Sequence, residues 1–397
     1  MTTDARPEHS RIATEVAASA DRLWEVALDL HTHPELGFEE HRAAARLTAE
    51  LEREGFAVEH GAAGLPTAFT ARAGRGGGPT VAFLLEYDAL PGLGHACGHN
   101  LIAAAGLGAA VALRRALDEV PGTLLVVGTP AEEGGGGKAV EADAGVFDGV
   151  DAALMFHPGV ESWSWAPLTA QVQYQVAFHG RSAHPTGNPT EGIDALGALI
   201  QVFNTLGVLQ RRLPAASHVQ GIVTDGGRAT NIVPEYAEGR FGLRAATTAA
   251  LEELIAEVSR CAEGVALATG TTVEITRAST LYEHFRVNDT LARVFTGHLA
   301  RAGITATEPE PGVYLGSSDV GNVSTRVPTI HPFVAIMDPD GSDHTPRFAA
   351  AAASERGRRT MLAAAEALAG TAADLLADPE LGRRAWAELR ARAAAER

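Results

Sequence analysis

Cysteine is nearly absent: 397 residues include two, Cys97 and Cys261, too few for the disulfide framework of a secreted domain. Basic residues are also in short supply. There are 32 lysines and arginines against 49 aspartates and glutamates, a formal charge of −17, and a field of that sign repels phosphate backbones and anionic lipid. Neither nucleic acid nor a membrane is an expected partner. Long apolar runs are missing too. The opening MTTDARPEHSRIATEV mixes acids with bases and lacks the apolar centre of an export signal. The stretch 101–113 is rich in alanine and glycine, ends in Arg114 and Arg115, and is too short to span a bilayer. The expected setting is soluble, reducing and cytoplasmic, so Cys97 needs an explanation other than a disulfide.

Apolar residues make up 46% of the chain and charged ones 20%, the balance of a globular protein with a sizeable interior. Its length exceeds what one core usually fills, which favours two domains. Helical spacing marks 12–30 and 41–53, the second stopped by Gly55. Strand-like runs follow at 81–86, 123–128 and 152–157, with helical segments starting near Asn100 and Lys138. Strand and helix alternate, so the class is α/β, and in such sheets the loops at the carboxyl ends of strands carry the chemistry. The order then changes to strand 168–180, helix 191–211, strands 218–224 and 235–245, helix 249–268 and strand 271–277. That is βαββαβ, the ferredoxin-like order, and it marks 169–286 as an insert. After Val287 a helix to Ala302, a strand near 329–336 and a long alanine-rich helix from Arg347 restore the α/β pattern. The expected catalytic domain is therefore split into 1–168 and 287–397.

Four loops hold residues suited to metal chemistry. In GHACGHN, Cys97 and His99 stand two apart just ahead of an apolar helix whose N-terminus favours a thiolate. The bland alternative is a buried cysteine beside a structural histidine. In TPAEEGGGG, Glu132 and Glu133 follow the apolar run LLVVGTP; one carboxylate can bind metal while its neighbour handles protons, and the glycines allow close backbone approach. FHPG contributes His157 and SDHTPRF contributes His344. One thiol, three imidazoles and a carboxylate suit zinc, manganese or cobalt better than magnesium or calcium. Of the remaining candidates, His31 and His33 form an HxH that reads as a structural turn, His331 reads as a packed core histidine, and Cys261 reads as core of an amphipathic helix.

Taken together, HPELGFEE, EYDALPGLGHACGHN, GTPAEEGGGG, MFHPG, GRSAHPTGNPTEGIDAL, TNIVPEY and SSDVGNVS resemble, in order and over nearly the whole chain, the M20 peptidase and amidohydrolase family, especially its aminoacylase-like and aminobenzoyl-glutamate hydrolase-like branch. The resemblance implies a split two-metal catalytic domain with an inserted ferredoxin-like dimerisation domain. It implies two divalent ions, with Cys97 bridging, His99 and His157 on one ion and Glu133 and His344 on the other. Glu132 matches the general base that takes a proton from a metal-activated water, and Asp88 the acid that orients a site residue. The family places His184 across a dimer in the partner's active site, and a matching asparagine and arginine, Asn231 and Arg244, on the substrate's carboxylate; Ser318, in SSDVGNVS, joins them as a substrate-binding candidate. Asn100 stands where many relatives have aspartate, which bears on ligand charge.

The implied activity is hydrolysis of a small N-acyl amino acid, dipeptide or aminobenzoyl-glutamate-like amide by a homodimer. An aminohydrolase acting on a ring amine is the nearest competing activity. A catalytically silent metal-binding protein fits less well with Glu132 present, and a thiol redox protein lacks a resolving cysteine near Cys97.

Overall fold

The computed structural model describes residues 6–117 and 119–396; the first five residues of the N-terminal segment fall outside that range. Helices α1 (Pro7–Thr32) and α2 (His41–Arg53) lead into strands β1 (Ala57–His60), β2 (Phe69–Gly74) and β3 (Thr80–Glu86). Helix α3 (His99–Ala116), β4 (Thr123–Thr129), α4 (Gly137–Asp143), β5 (Ala152–Leu154) and β6 (His157–Gly159) follow. Next come β7 (Ala170–His179), α5 (Ala195–Leu209), β8 (His218–Asp225), β9 (Tyr236–Ala245), α6 (Thr248–Thr269) and β10 (Thr272–Arg277). The chain ends with α7 (Asp289–Arg301), α8 (Val320–Ser324), β11 (Thr329–Ile330), β12 (Phe333–Ala335), α9 (Pro346–Ala352), α10 (Glu355–Ala377) and α11 (Pro379–Ala395).

One sheet has six strands in the order β1-β2-β4-β3-β5-β11, with β4, β3, β5 and β11 parallel. Strands buried on both faces read as continuous apolar runs, and β3 is one: Val81, Phe83 and Leu85 join the core under α1, α3 and α10, while Ala82 and Leu84 join a second core on the opposite face with Leu125, Val127 and Val323. Glycine lets α3 lie close, since a Cβ on Gly106 would come within 2.7 Å of Leu85 Cδ1. Helix α10 is long and apolar enough to cross a bilayer, yet 78% of its most apolar window is buried inside the protein, so its apolar surface is spent on the core.

The second sheet, β10-β7-β9-β8, is antiparallel throughout and has its own core, in which Leu199 and Val202 of α5 and Leu254 and Val258 of α6 meet Val176, Phe241 and Leu243. Its chain order is βαββαβ, and β11 returns to the first sheet beside β5.

Three expectations need correction. The strand at 329–336 is two strands, because Pro332 lacks the N–H a ladder needs; β11 pairs with β5, while β12 pairs with β6 in a separate two-stranded sheet. The run at 152–157 breaks in concert. The helix from Arg347 is three, α9 to α11, with Ser354 and Asp378 accepting backbone N–H bonds at the starts of α10 and α11. Cys261 on α6 is partly buried and packs against the margin of the second sheet's core rather than inside it.

Candidate metal centre

The loops that follow β3, β4, β5 and β12 converge on Cys97. Ahead of α3 the chain turns sharply at Gly98, whose φ of 81° no side chain adopts cheaply, and a Cβ there would strike Pro158 at 2.8 Å. This turn brings the buried Cys97 Sγ to 3.4 Å from His157 Nε2. His157 Nδ1 lies 2.6 Å from the Pro158 carbonyl, so Nδ1 carries the proton and Nε2 presents its lone pair to the sulfur. Asp88 fixes two more groups. His99 Nδ1 is 3.0 Å from both its Oδ1 and its carbonyl oxygen, and its Oδ2 accepts the Glu133 backbone N–H at 3.0 Å.

Strain marks the other two loops. Ala131, just before the carboxylate pair, has φ 58°, and His344 has φ 55°, conformations that cost energy for residues other than glycine and cluster at functional sites. Tyr282 donates to the Glu132 carbonyl at 2.7 Å, and the His344 N–H donates to the Ala96 carbonyl at 2.9 Å. As a result, His344 Nε2 faces Glu133 Oε2 at 3.7 Å, and His99 Nε2 faces Glu133 Oε1 at 3.8 Å and Glu132 Oε2 at 4.0 Å. Ligand atoms of Cys97, His99 and His157 lie within 4.8 Å of one another, as do those of His99, Glu132 and Glu133, and those of Cys97, Asp343 and His344. Asp343 is a donor that the sequence did not single out.

The electrostatics are those of a crowd of acids. Burial, then the carboxylates of Glu86, Glu133 and Asp319, push Glu132 well above the usual range. Burial raises Glu133 and the Cys97 thiol as well. It also works against a charged His99, but Asp88 beside it wins and raises that imidazole, whereas burial brings His157 down to about 4. A cation among these groups reverses the penalty on each carboxylate and on the thiolate. The residues fit one. His99 Nε2 and Glu133 Oε1 are buried with no hydrogen-bond partner among the described residues, and sulfur, imidazole and carboxylate together form the donor mix of a transition-metal site.

Other expected residues lie elsewhere. His184 is exposed in the loop after β7, its Nδ1 accepting the backbone N–H groups of Thr186 and Gly187 at 3.2 and 2.9 Å, so its own turn is capped and Nε2 is left as the donor. Asn231 is exposed between β8 and β9. Arg244, half-buried on β9, donates to Ser317 Oγ at 2.8 Å. Ser318 is turned inward at the start of α8, its hydroxyl accepting the Val320 N–H at 3.4 Å, so Ser317 is the serine in contact with Arg244. Asn100 donates to the carbonyls of Ala27 and Ala352 at 3.2 Å each, contacts an aspartate could not make, and it serves packing. His31 contacts the Ala349 carbonyl and His33 the Asp29 carbonyl. His331 is buried beside Phe333 and Phe285. The glycine run after Glu133 answers to chain packing, since a Cβ on Gly137 would sit 2.0 Å from the Pro130 carbonyl oxygen.

Sequence reasoning missed Glu86, Lys138 and Asp319, a fully buried ion set behind His99. A second His/Asp group, His9, His298 and Asp374, is a junction of α1, α7 and α10: both Nε2 atoms already bond Asp374, at 3.0 and 2.8 Å, with Arg301 alongside.

The family model described as Peptidase family M20/M25/M40 matches residues 82–367. The mouse protein named Xaa-Arg dipeptidase is 38% identical over 386 residues, covering 94% of this chain and 89% of that one. A p-aminobenzoyl-glutamate hydrolase chain from Escherichia coli is 35% identical over 65% of this chain and 58% of its own length. In fold, a Bacillus subtilis structure described as a dinuclear metal binding peptidase superposes with a TM-score of 0.70 at 23% identity, covering 90% of this chain and 99% of that one.

Proposed function

The chain belongs to the M20 family of peptidases and amidohydrolases, and from that premise we propose that it cleaves the amide bond of a small N-acyl amino acid, dipeptide or aminobenzoyl-glutamate-like substrate. The observation that carries this reading is the placement of Glu132: a buried carboxylate with raised proton affinity, 4.0 Å from an unpartnered imidazole nitrogen in a nest of thiol, histidine and carboxylate donors. Cys97, His99, Glu133, His157 and His344 would hold two divalent ions, zinc, manganese or cobalt, with Cys97 between them. Such ions supply Lewis-acid polarisation and a nucleophilic water at neutral pH.

The chain's own residues do the rest. Glu132 accepts the proton of the attacking water and returns it to the leaving amine. Asp88 fixes the His99 tautomer and, through the Glu133 N–H, the position of that carboxylate. Arg244, bonded to Ser317, receives the free carboxylate of the substrate's amino-acid half, a group its planar fork matches, with Ser318 as a further substrate-binding candidate; Asn231, at the other end of the β8–β9 hairpin and beside the His184 loop, would bind substrate from there. The βαββαβ unit, 169–286, is read as a ferredoxin-like dimerisation insert that splits the catalytic domain into 1–168 and 287–397. His184 would then reach the partner's site and donate to the developing oxyanion. A cytoplasmic location accords with the low cysteine content.

The test is turnover of N-acetyl amino acids, β-alanyl dipeptides and aminobenzoyl-glutamate, with and without a chelator. Cleavage that chelation abolishes and added metal restores is expected. Full activity in the chelated protein, or none on any of the three classes after metal loading, would overturn the proposal.

A further inference from the structure

Glu86 ends β3 and is fully buried. Its Oε1 lies 2.5 Å from Nζ of Lys138, the chain's only lysine. That ammonium also bonds Asp319 Oδ1 at 2.8 Å, and Asp319 Oδ2 accepts the Lys138 backbone N–H at 2.9 Å. One cation between two carboxylates leaves a net negative charge in a fully buried site, an arrangement that costs heavily unless further positive charge lies close by.

The second carboxylate oxygen shows where that charge belongs. Glu86 Oε2 has no hydrogen-bond partner among the described residues, and it lies 3.5 Å from His99 Nε2, which has none either. Glu133 Oε1, 3.8 Å from the same nitrogen, is likewise unpartnered. His99 Nδ1 is engaged by Asp88, which leaves Nε2 facing two carboxylate oxygens. Three buried polar atoms, two carboxylate oxygens and an imidazole nitrogen, converge there without a hydrogen-bond partner among the described residues, and they are a suitable set for a cation.

Resting on the reading of this pocket as a metal centre, we propose that Glu86 is a further oxygen ligand of the ion held by His99, beyond Cys97, His99, Glu133, His157 and His344. Lys138 and Asp319 are its positioning residues. Lys138, itself held by Asp319, engages Oε1 and leaves Oε2 toward His99 Nε2. A hard oxygen added to a thiolate and imidazole set favours manganese relative to zinc.

The experiment is equilibrium dialysis of the metal-free, full-length protein against Mn(II) alone and Zn(II) alone, with bound metal counted per chain and the metal-free melting temperature recorded. The wild type should take up two ions. Glu86→Gln keeps the side-chain shape and leaves Lys138 its Asp319 partner. It should bind one of the two Mn(II) ions at least about tenfold more weakly, the scale on which even groups behind a ligand act, with a smaller loss for Zn(II). Glu86→Asp keeps the charge but withdraws the oxygen by one methylene, and it should lose Mn(II) similarly. If Glu86→Gln does not fold, Glu86→Asp, which retains an anionic partner for Lys138, carries the test. Unchanged Mn(II) binding in Glu86→Gln overturns the proposal, and so does wild-type binding by Glu86→Asp, which would reduce Glu86 to a charge. A wild type that binds no metal sinks the metal centre itself, a different failure from either of these.

Discussion

Around Cys97 each candidate donor is braced by a second contact: Asp88 on His99 and on the Glu133 N–H, the Pro158 carbonyl on His157, the Ala96 carbonyl on His344. The insert offers a different picture. His184 and Asn231 are exposed, and Arg244 is half-buried with a serine hydroxyl for a partner and no carboxylate among the described residues. Its proton affinity is lowered, with burial as the cause. The pocket is built in advance, which is what water activation demands, because a donor that must reorganise gives up the advantage of a fixed field. On the proposed reading, the groups of the β7–β10 unit would meet counterparts supplied from outside the chain. Under the proposed function the braced residues handle metal and water, while Arg244 awaits a substrate and His184 a partner's site.

Breaking the braced region should have the largest effect. Glu132→Gln is expected to keep metal content near normal and lower the rate by roughly 10² to 10⁴, the scale of general-base catalysis. More than about a tenth of the wild-type rate in this variant would remove Glu132 from that role. Cys97→Ala should instead lose metal, since a bridging thiolate would shield two like charges from each other, and unchanged metal content would refute a bridging sulfur. The two variants sharpen the contrast inside the pocket itself, one losing turnover with metal retained, the other losing both.

Next in size is His184. Removing one oxyanion donor costs about 10² to 10³ in rate, and because His184 lies in the insert the loss should be repairable from another chain. Mixing inactive Glu132→Gln with inactive His184→Ala protein should restore part of the activity once protomers have exchanged. Absence of recovery after verified exchange would place His184 outside the partner's site and leave it the turn-capping residue that its bonds to Thr186 and Gly187 describe.

The braced residues were largely legible in the sequence, and the reason is local. Cys97 with His99, and Glu132 with Glu133, are short-range pairs on loops after apolar strands, so the α/β alternation alone places them at one edge of a sheet. The buried set of Glu86, Lys138 and Asp319 was not legible. A lysine after four glycines reads as solvated, and its full burial follows only from the packing of α4 against α8, elements distant in the chain. Periodicity likewise could not tell one strand at 329–336 from two in different sheets, because both halves are apolar and Pro332 decides between them. Which of two adjacent serines meets Arg244 depends on the inward turn of Ser318 at α8, a dihedral choice that residue types do not fix.

The smallest effect expected is at Arg244, and it is the sharpest test of the unpaired region. The alternation along β9 puts Arg244 on the more open face, between the buried Leu243 and Ala245, and its one side-chain hydrogen bond among the described residues reaches Ser317, two residues from the Asp319 that anchors Lys138. On the proposed reading a substrate carboxylate would bind there, and a charge-assisted bond to it is worth about 1.5 to 3 kcal/mol. Arg244→Ala should therefore weaken kcat/KM for an N-acyl amino acid by roughly tenfold to a hundredfold, mostly through KM, with metal content unchanged. The methyl ester of the same substrate should be poor in the wild type and no poorer in the variant, since each change removes the same contact and the two losses should not add. The chain's net charge of −17 does not oppose this, because distant surface charges are screened beyond about 8 Å at physiological salt. If the ester is cleaved as well as the free acid by the wild type, or if the losses from capping and from Arg244→Ala simply add, the carboxylate is held somewhere else.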